Sequence, residues 1–291
     1  MQHDFYSGEQ LLALCREAGC SISEMMQCRE TTLTGQSRQD IRAEMGRNLS
    51  VMRESVDKGL SGVEGMSGLV PPSAARMQRY AQGSPLSGAV MAEAVAAAMA
   101  VVEVNASMGR IVAVPTAGAS GILPGVLMTC ARRQAWPEAE LVSALFTAAA
   151  VGYLIARNAT ISGADGGCQA ETGTGAAMTA AALVELSQGT PEQALSAAAM
   201  TLANVMGLVC DPVAGLVESP CIKRNALGAA NALLSADMAL AGLASLIPFD
   251  EVVDAMRRVG RALPSNLRET ALGGLAATPT ARRLARELQQ S

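Results

Sequence analysis

Histidine is almost missing from this chain. Its 291 residues include one, His3, and two lysines, Lys58 and Lys223, against twenty arginines. A histidine triad, a zinc site with several imidazole ligands or a two-histidine iron site cannot be built from this stock alone. Aromatic residues number seven, too few for the belts that flank membrane spans. β-Branched and aromatic residues alternate nowhere for long, so strand signals are nearly absent. No Cys-x-x-Cys pair occurs among the seven cysteines. The net charge of −4 argues against nucleic acid as the main partner, because phosphate binding needs clustered Lys and Arg. The first residues carry acidic groups and no apolar core of signal-peptide type, so the expected compartment is the cytoplasm. An odd number of cysteines in that setting favours reduced thiols, ligands or nucleophiles over a disulfide framework.

What is present is apolar and helical. Hydrophobic residues make up 50% of the chain. Ile41, Met45, Leu49 and Met52 recur at helical spacing, with Ser37 as the expected N-cap and Gly59 as the expected stop. "SGVEGMSGLVPPSAARM" then reads as a loop and a candidate subdomain boundary. Beyond Pro85, "MAEAVAAAMAVVEVNASMG" is an alanine-rich helix with few charges, so nearly all its faces must be buried. Further helices are expected around "PEAELVSALFTAAAVGYLIARN", after Thr190–Pro191, from Asn225 to Leu246, and from Phe249. Two apolar runs, Leu141–Ala156 and Ala232–Phe249, invite a membrane reading. The first falls short of the roughly 20 residues a span needs, and the second carries Asp237; both are expected to be buried core helices, with no membrane partner. The expected fold class is all-α: a compact bundle of about ten helices whose glycine-rich loops carry the chemistry. Residues 1–60 form an N-terminal helical segment, expected to be continuous with a catalytic region over 61–291.

Three thiols fall in turn-rich stretches: Cys168 in "SGADGGCQAETG", and Cys210 and Cys221 at the ends of "CDPVAGLVESPC". Thiolates on loops suit an iron–sulfur cluster, since unwound backbone leaves N–H groups free for the sulfides. Gly166 and Gly167 would let the backbone approach closely, and Pro212 and Pro220 stiffen the second segment. Gaps of 42 and 11 positions match no local motif, so ordinary buried cysteines remain the competing reading. Cys15, Cys20 and Cys28 lie on a polar helical stretch without glycine support and read as incidental; Cys130 reads as packed. "PTAGASGILPG" (115–125) offers Thr116, Ser120 and freely oriented N–H groups, a carboxylate site if it leads into a helix N-terminus and otherwise a flexible turn. "GTGAAM" lacks the strand and the third glycine of a dinucleotide fingerprint and is set aside.

Taken together, "VPTAGASGILPGVL", "SGADGGCQAETG", "GLVCDPVAGLVESPCIKRNALGAANA" and "LRETALGGLAATPT" resemble the alpha chain of bacterial iron–sulfur L-serine dehydratase (L-serine ammonia-lyase), in order and spacing, from Gly62 to Thr280. The resemblance implies an all-α fold and a [4Fe-4S] cluster on Cys168, Cys210 and Cys221, with no pyridoxal phosphate. It also implies a Lewis-acid role for an open iron at the serine hydroxyl, giving pyruvate and ammonia. Candidate substrate contacts are Ser67 and Gly68 of "GMSG", Thr116, Ala117, Ser120 and Gly121, and, after Cys221, Lys223 and Asn225. "GMSG" and the 115–125 loop are both expected to grip the substrate carboxylate.

Single-chain relatives carry a beta domain with a serine- and histidine-bearing motif of the "SSSHT" type, absent here. The resemblance therefore points to a two-subunit, hetero-oligomeric form in which a separate beta chain completes the site and supplies the base. Some relatives end in a cysteine that reaches the fourth iron, whereas this chain ends "RELQQS". Related cluster lyases acting on L-threonine or L-cysteine are the near alternatives, since one methyl group shifts discrimination by only ~1–3 kcal/mol. A pyridoxal-phosphate lyase on Lys58 or Lys223, and a non-catalytic helical scaffold or membrane transporter, are the distant ones.

Overall fold

Local capping sets where the helices begin. In the computed structural model, which describes residues 3–290, Ser7 caps α1 (Gly8–Ala18) and Ser21 closes a capping box with Glu24 on α2 (Ile22–Thr34). Ser37 accepts from the Asp40 N–H at the head of α3 (Arg38–Leu60), as the sequence predicts. Short α4 (Ala74–Ala81) and alanine-rich α5 (Ala89–Ala106) follow, then α6 (Ile122–Gln134), α7 (Glu138–Asn158) and the single turn α8 (Gly163–Gly166). Next come α9 (Cys168–Leu186) and α10 (Pro191–Asn204), the latter opened by a Thr190/Gln193 capping box with Pro191 in its first turn. The chain closes with α11 (Cys221–Leu240), α12 (Phe249–Ala262) and α13 (Pro279–Leu288). No strand occurs among the described residues; one isolated bridge joins Cys210 to Arg268. The fold is all-α, with thirteen α-helices among the described residues where about ten were expected. The difference lies in short elements such as α4 and α8, whose few residues leave little periodic signal.

At the centre stands α9, buried along its length except at Glu171 and Glu185, which are half-buried. It packs against α6, α7, α10 and α11, while α5 is enclosed by α3, α4, α6 and α11. Alanine and glycine let these backbones approach closely. A Cβ on Gly125 of α6 would lie 2.3 Å from the Ala98 nitrogen of α5. Gly59 has the same role and does not stop α3, which runs on to Leu60; a Cβ there would lie 2.2 Å from the Ala100 carbonyl oxygen. Phe5, Leu11, Ile22 and Leu49 share one core cluster with Leu127, Leu154 and Leu202, so the N-terminal helices bury their apolar faces in the same interior.

Two described helices, α5 and α7, are long and apolar enough to cross a membrane, and both are mostly buried against other helices. The run Ala232–Phe249 is not one helix: α11 ends at Leu240, turns fill the interval, and α12 starts at Phe249. The helix predicted over Asn225–Leu246 is correspondingly displaced, starting and ending earlier.

Candidate metal and substrate site

Two of the three thiols stand at helix N-termini rather than in loops. Gly167, at φ +77°, turns the chain so that Cys168 opens α9, and cis Pro220 precedes Cys221, which opens α11. Helix N-termini favour negative charge, and so favour thiolate over thiol. Cys210 lies in the connection between α10 and α11, pinned on both sides: its N–H donates to the Leu267 carbonyl (2.9 Å) and its carbonyl accepts from the Glu269 N–H (2.7 Å). Gln169 ties the first thiol's segment to the second's. Its N–H donates to the Leu208 carbonyl (3.0 Å), its Oε1 accepts from the Gly207 N–H (2.8 Å), and its Nε2 donates to the Gly166 and Met256 carbonyls.

All three cysteines are buried, at 2%, 3% and 6% exposure for Cys168, Cys210 and Cys221. The Cys168 and Cys210 sulfurs and a carboxylate oxygen of Glu171 all lie within 4.8 Å of one another. Cys221 stands outside that tight trio, although the Cys168 charge acts on it. The Cys210 thiol donates to Cys168 and, with the nearby Arg224 guanidinium, draws the Cys168 thiol below its ordinary value. Having that proton engaged, and being buried, drives Cys210 upward, and burial pushes Cys221 up to about 12. Arg224 is fixed by bonds to the Val209 carbonyl (2.9 Å) and Asp211 Oδ1 (2.7 Å), and Asp211 Oδ2 accepts from the Leu275 N–H.

Glu171 is the participant that sequence reasoning missed. It sits one helical turn after Cys168, so the Cys-x-x-Glu spacing already placed both on one face of α9. Burial raises its pKa, opposed by a short hydrogen bond from the Thr116 hydroxyl. That bond joins the thiols to the 115–121 loop, which runs directly into α6, the condition on which the sequence made it a carboxylate site rather than a flexible turn. Asn225, fully buried, holds the loop: its Oδ1 accepts from the Gly121 N–H (3.0 Å), and its Nδ2 donates to the Gly118 (2.6 Å) and Cys221 (2.9 Å) carbonyls. Ser120, also buried, donates to the Ala117 carbonyl (2.7 Å). The Ala117, Gly118 and Ala119 N–H groups find no acceptor among the described residues.

Elsewhere, Ser67 is half-buried beside exposed Gly68, and its hydroxyl donates to Glu218 Oε1 (2.6 Å). Lys223 is exposed with no ion pair among the described residues, and Lys58 is exposed on the last turn of α3. Cys15 and Cys20 are neighbours near the end of α1, away from the trio, and Cys130 is buried in α6.

The donor set fits a soft metal centre: two thiols and a carboxylate converge, a third thiol opens the adjacent helix, and an arginine offsets thiolate charge. Tight glycines surround it. A Cβ on Gly163 would lie 2.9 Å from the Cys210 sulfur, and one on Gly118 would lie 2.6 Å from Glu171 Oε1.

Residues 17–276 match the model of a family described as serine dehydratase alpha chain. The chain belongs to that family. It is 50% identical over 285 residues to the probable L-serine dehydratase alpha chain of Bacillus subtilis, covering 98% of this chain and 95% of the relative. With the L-serine dehydratase alpha chain of Peptoniphilus asaccharolyticus it shares 43% identity over 283 residues, 97% of each. An L-serine dehydratase of Streptomyces coelicolor is 38% identical over 286 residues, 95% of this chain but 61% of that longer protein. The family's model thus takes in every thiol of the site, Glu171, and the loops that hold them.

Proposed function

We propose that this chain is the cluster-bearing subunit of an L-serine ammonia-lyase of the cytoplasm, holding a [4Fe-4S] cluster on Cys168, Cys210 and Cys221 and using no pyridoxal phosphate. The observation that carries the reading is the convergence of buried thiols with Glu171 in a chain of the serine dehydratase alpha family. A bound cluster with one open iron supplies a Lewis acid for the substrate hydroxyl. The protein's own groups supply the rest. Arg224 offsets the thiolate charge, and Asn225, Ser120 and Gly121 shape the 115–121 loop so that its free N–H groups at the head of α6 take the substrate carboxylate. Thr116 and Ala117 stand at the rim of that loop, Ser67 and Gly68 face the substrate from a second segment, and Lys223 lies on the outer side of the same helix start.

Loss of the Cα proton and of the hydroxyl, followed by hydrolysis of the enamine, yields pyruvate and ammonia. A separate beta chain completes the hetero-oligomer and provides the base, consistent with a chain of one histidine and with relatives that are longer single chains. Residues 1–60 and 61–291 act as one unit around the shared core. The deciding experiment is the anaerobic absorption spectrum, with iron and sulfide content, followed by serine turnover with and without the beta chain. A charge-transfer band, stoichiometric iron and pyruvate formation are expected; a preparation that takes up no iron on reconstitution refutes the reading. Threonine and cysteine as competing substrates test its specificity.

A further inference from the structure

We infer that Ser67 and Glu218 form the recognition site for the substrate's ammonium group, not for its carboxylate; the inference rests on the reading of an amino acid as substrate. A serine hydroxyl has one donor and two acceptor sites. The Ser67 proton is committed to Glu218 Oε1 (2.6 Å), and one lone pair accepts from the Leu69 N–H (3.0 Å). What remains is a single acceptor. Three of the turn's backbone donors are engaged as well: the Met66 N–H donates to the Ala106 carbonyl, the Gly68 N–H to the Gly65 carbonyl, and the Leu69 N–H to Ser67 itself, whereas the Gly65 and Ser67 N–H groups find no acceptor among the described residues. The Glu218 carboxylate bonded to this turn disfavours a second carboxylate beside it.

Glu218 sharpens the assignment. It is 4% exposed, and its Oε2 is buried with no partner among the described residues. A buried acceptor without a donor is costly. The chain's own donors do not serve it, and Gly65 keeps the space beside it clear, since a Cβ there would lie 3.3 Å from the carboxylate. Ser67 Oγ and Glu218 Oε2 are thus an acceptor-only, anionic pair, matched to a group with three donors and a positive charge.

The position fits a bifunctional ligand. The Glu218 carbonyl accepts from the Ile222 N–H (2.9 Å) at the first turn of α11, the turn opened by Cys221. One turn on, Asn225 holds the 115–121 loop and its unpaired N–H groups. A donor-rich loop and an acceptor-only pair therefore flank the same helix start, the polarity that an α-amino acid zwitterion requires.

The test uses the anaerobically assembled enzyme with its cluster and beta chain, and compares L-serine with 2,3-dihydroxypropanoate, which replaces the ammonium by a hydroxyl. Calorimetric binding and steady-state kinetics are measured on the wild type, Glu218→Gln and Ser67→Ala, with iron content and circular dichroism as checks of the fold. Wild-type enzyme should bind serine at least about tenfold more tightly than the hydroxy acid, the scale of a charge-assisted hydrogen bond. Both variants should raise the KM for serine about tenfold while leaving hydroxy-acid affinity unchanged, closing the gap. Equal wild-type affinity for the two ligands, or a gap that persists in the variants, overturns the inference. If Glu218→Gln does not fold, Ser67→Ala decides alone. Absence of serine turnover in the wild type would refute the proposed reaction instead, while the binding comparison would still judge the ammonium site.

Discussion

Around Cys168, each buried group changes what its neighbours can do. The thiol receives a hydrogen bond from Cys210, feels the Arg224 charge and opens α9, so it is the thiol most ready to lose its proton. Cys221, pushed up to about 12 by burial, keeps its proton until a metal displaces it. All three are nonetheless expected to be ligands, because each is buried at the junction of α9, α11 and the 205–220 connection. Cys168→Ala, Cys210→Ala and Cys221→Ala should each abolish cluster binding, read as iron, sulfide and charge-transfer absorption after anaerobic reconstitution. Cys15→Ala, Cys20→Ala and Cys28→Ala should retain it, because those residues lie on the α1–α2 side of the molecule. Full iron content in any of the first three variants would break the ligand assignment.

Among the elements, α5 and α6 show what an alanine- and glycine-rich interface demands. At Gly125 an added methyl meets the α5 backbone at Ala98 from 2.3 Å, and backbone cannot swing aside as a side chain can. Gly125→Ala should therefore cost about 2 kcal/mol or more, seen as a lower denaturant midpoint, with serine affinity weakened because α6 carries the 115–121 loop. A midpoint equal to wild type would mean that the two helices separate freely. The same interface explains what was legible in the sequence and what was not. Ser37 and the Thr190–Pro191 pair announced helix starts because capping is local chemistry. Gly59 was misleading: a glycine at a helix end and one where two helices touch look alike in one chain. Cys168 and Cys221 read as loop residues because the glycines and prolines before them dominate the local pattern, yet those residues set the turn from which each helix starts. The thiol segments, the α6 loop and the Ser67 turn were visible as motifs. The Glu171–Thr116 bond, the Gln169 tie and the Asn225 clamp depend on partners 38 to 107 positions away, and no local pattern records them.

For the whole molecule, the three cysteines connect parts of the chain that folding must otherwise bring together unaided. Cys168 begins the central helix, Cys221 begins the helix packed against it, and Cys210 is stitched to the 267–269 segment that leads toward α13. A centre bound to all three in the folded state, and far less in the unfolded chain, stabilises the fold by mass action. The anaerobic cluster-loaded chain should therefore melt higher than the chelator-treated chain. The gap should be about 2 °C or more, given that each kcal/mol moves the midpoint of a large domain by roughly 2–4 °C. The sign of its pH dependence follows from the thiols: protons held by Cys210 and Cys221, both raised above the ordinary thiol value, must leave for the metal to bind. Acidification adds to that competition, so the gap should narrow as pH falls and widen as it rises. Scanning calorimetry of both forms across neutral pH measures it, with Cys210→Ala as the control in which loaded and stripped samples should coincide. Identical midpoints in the wild type would show that the centre is carried by a site already rigid without it, and would remove the cross-linking role assigned to the three thiols.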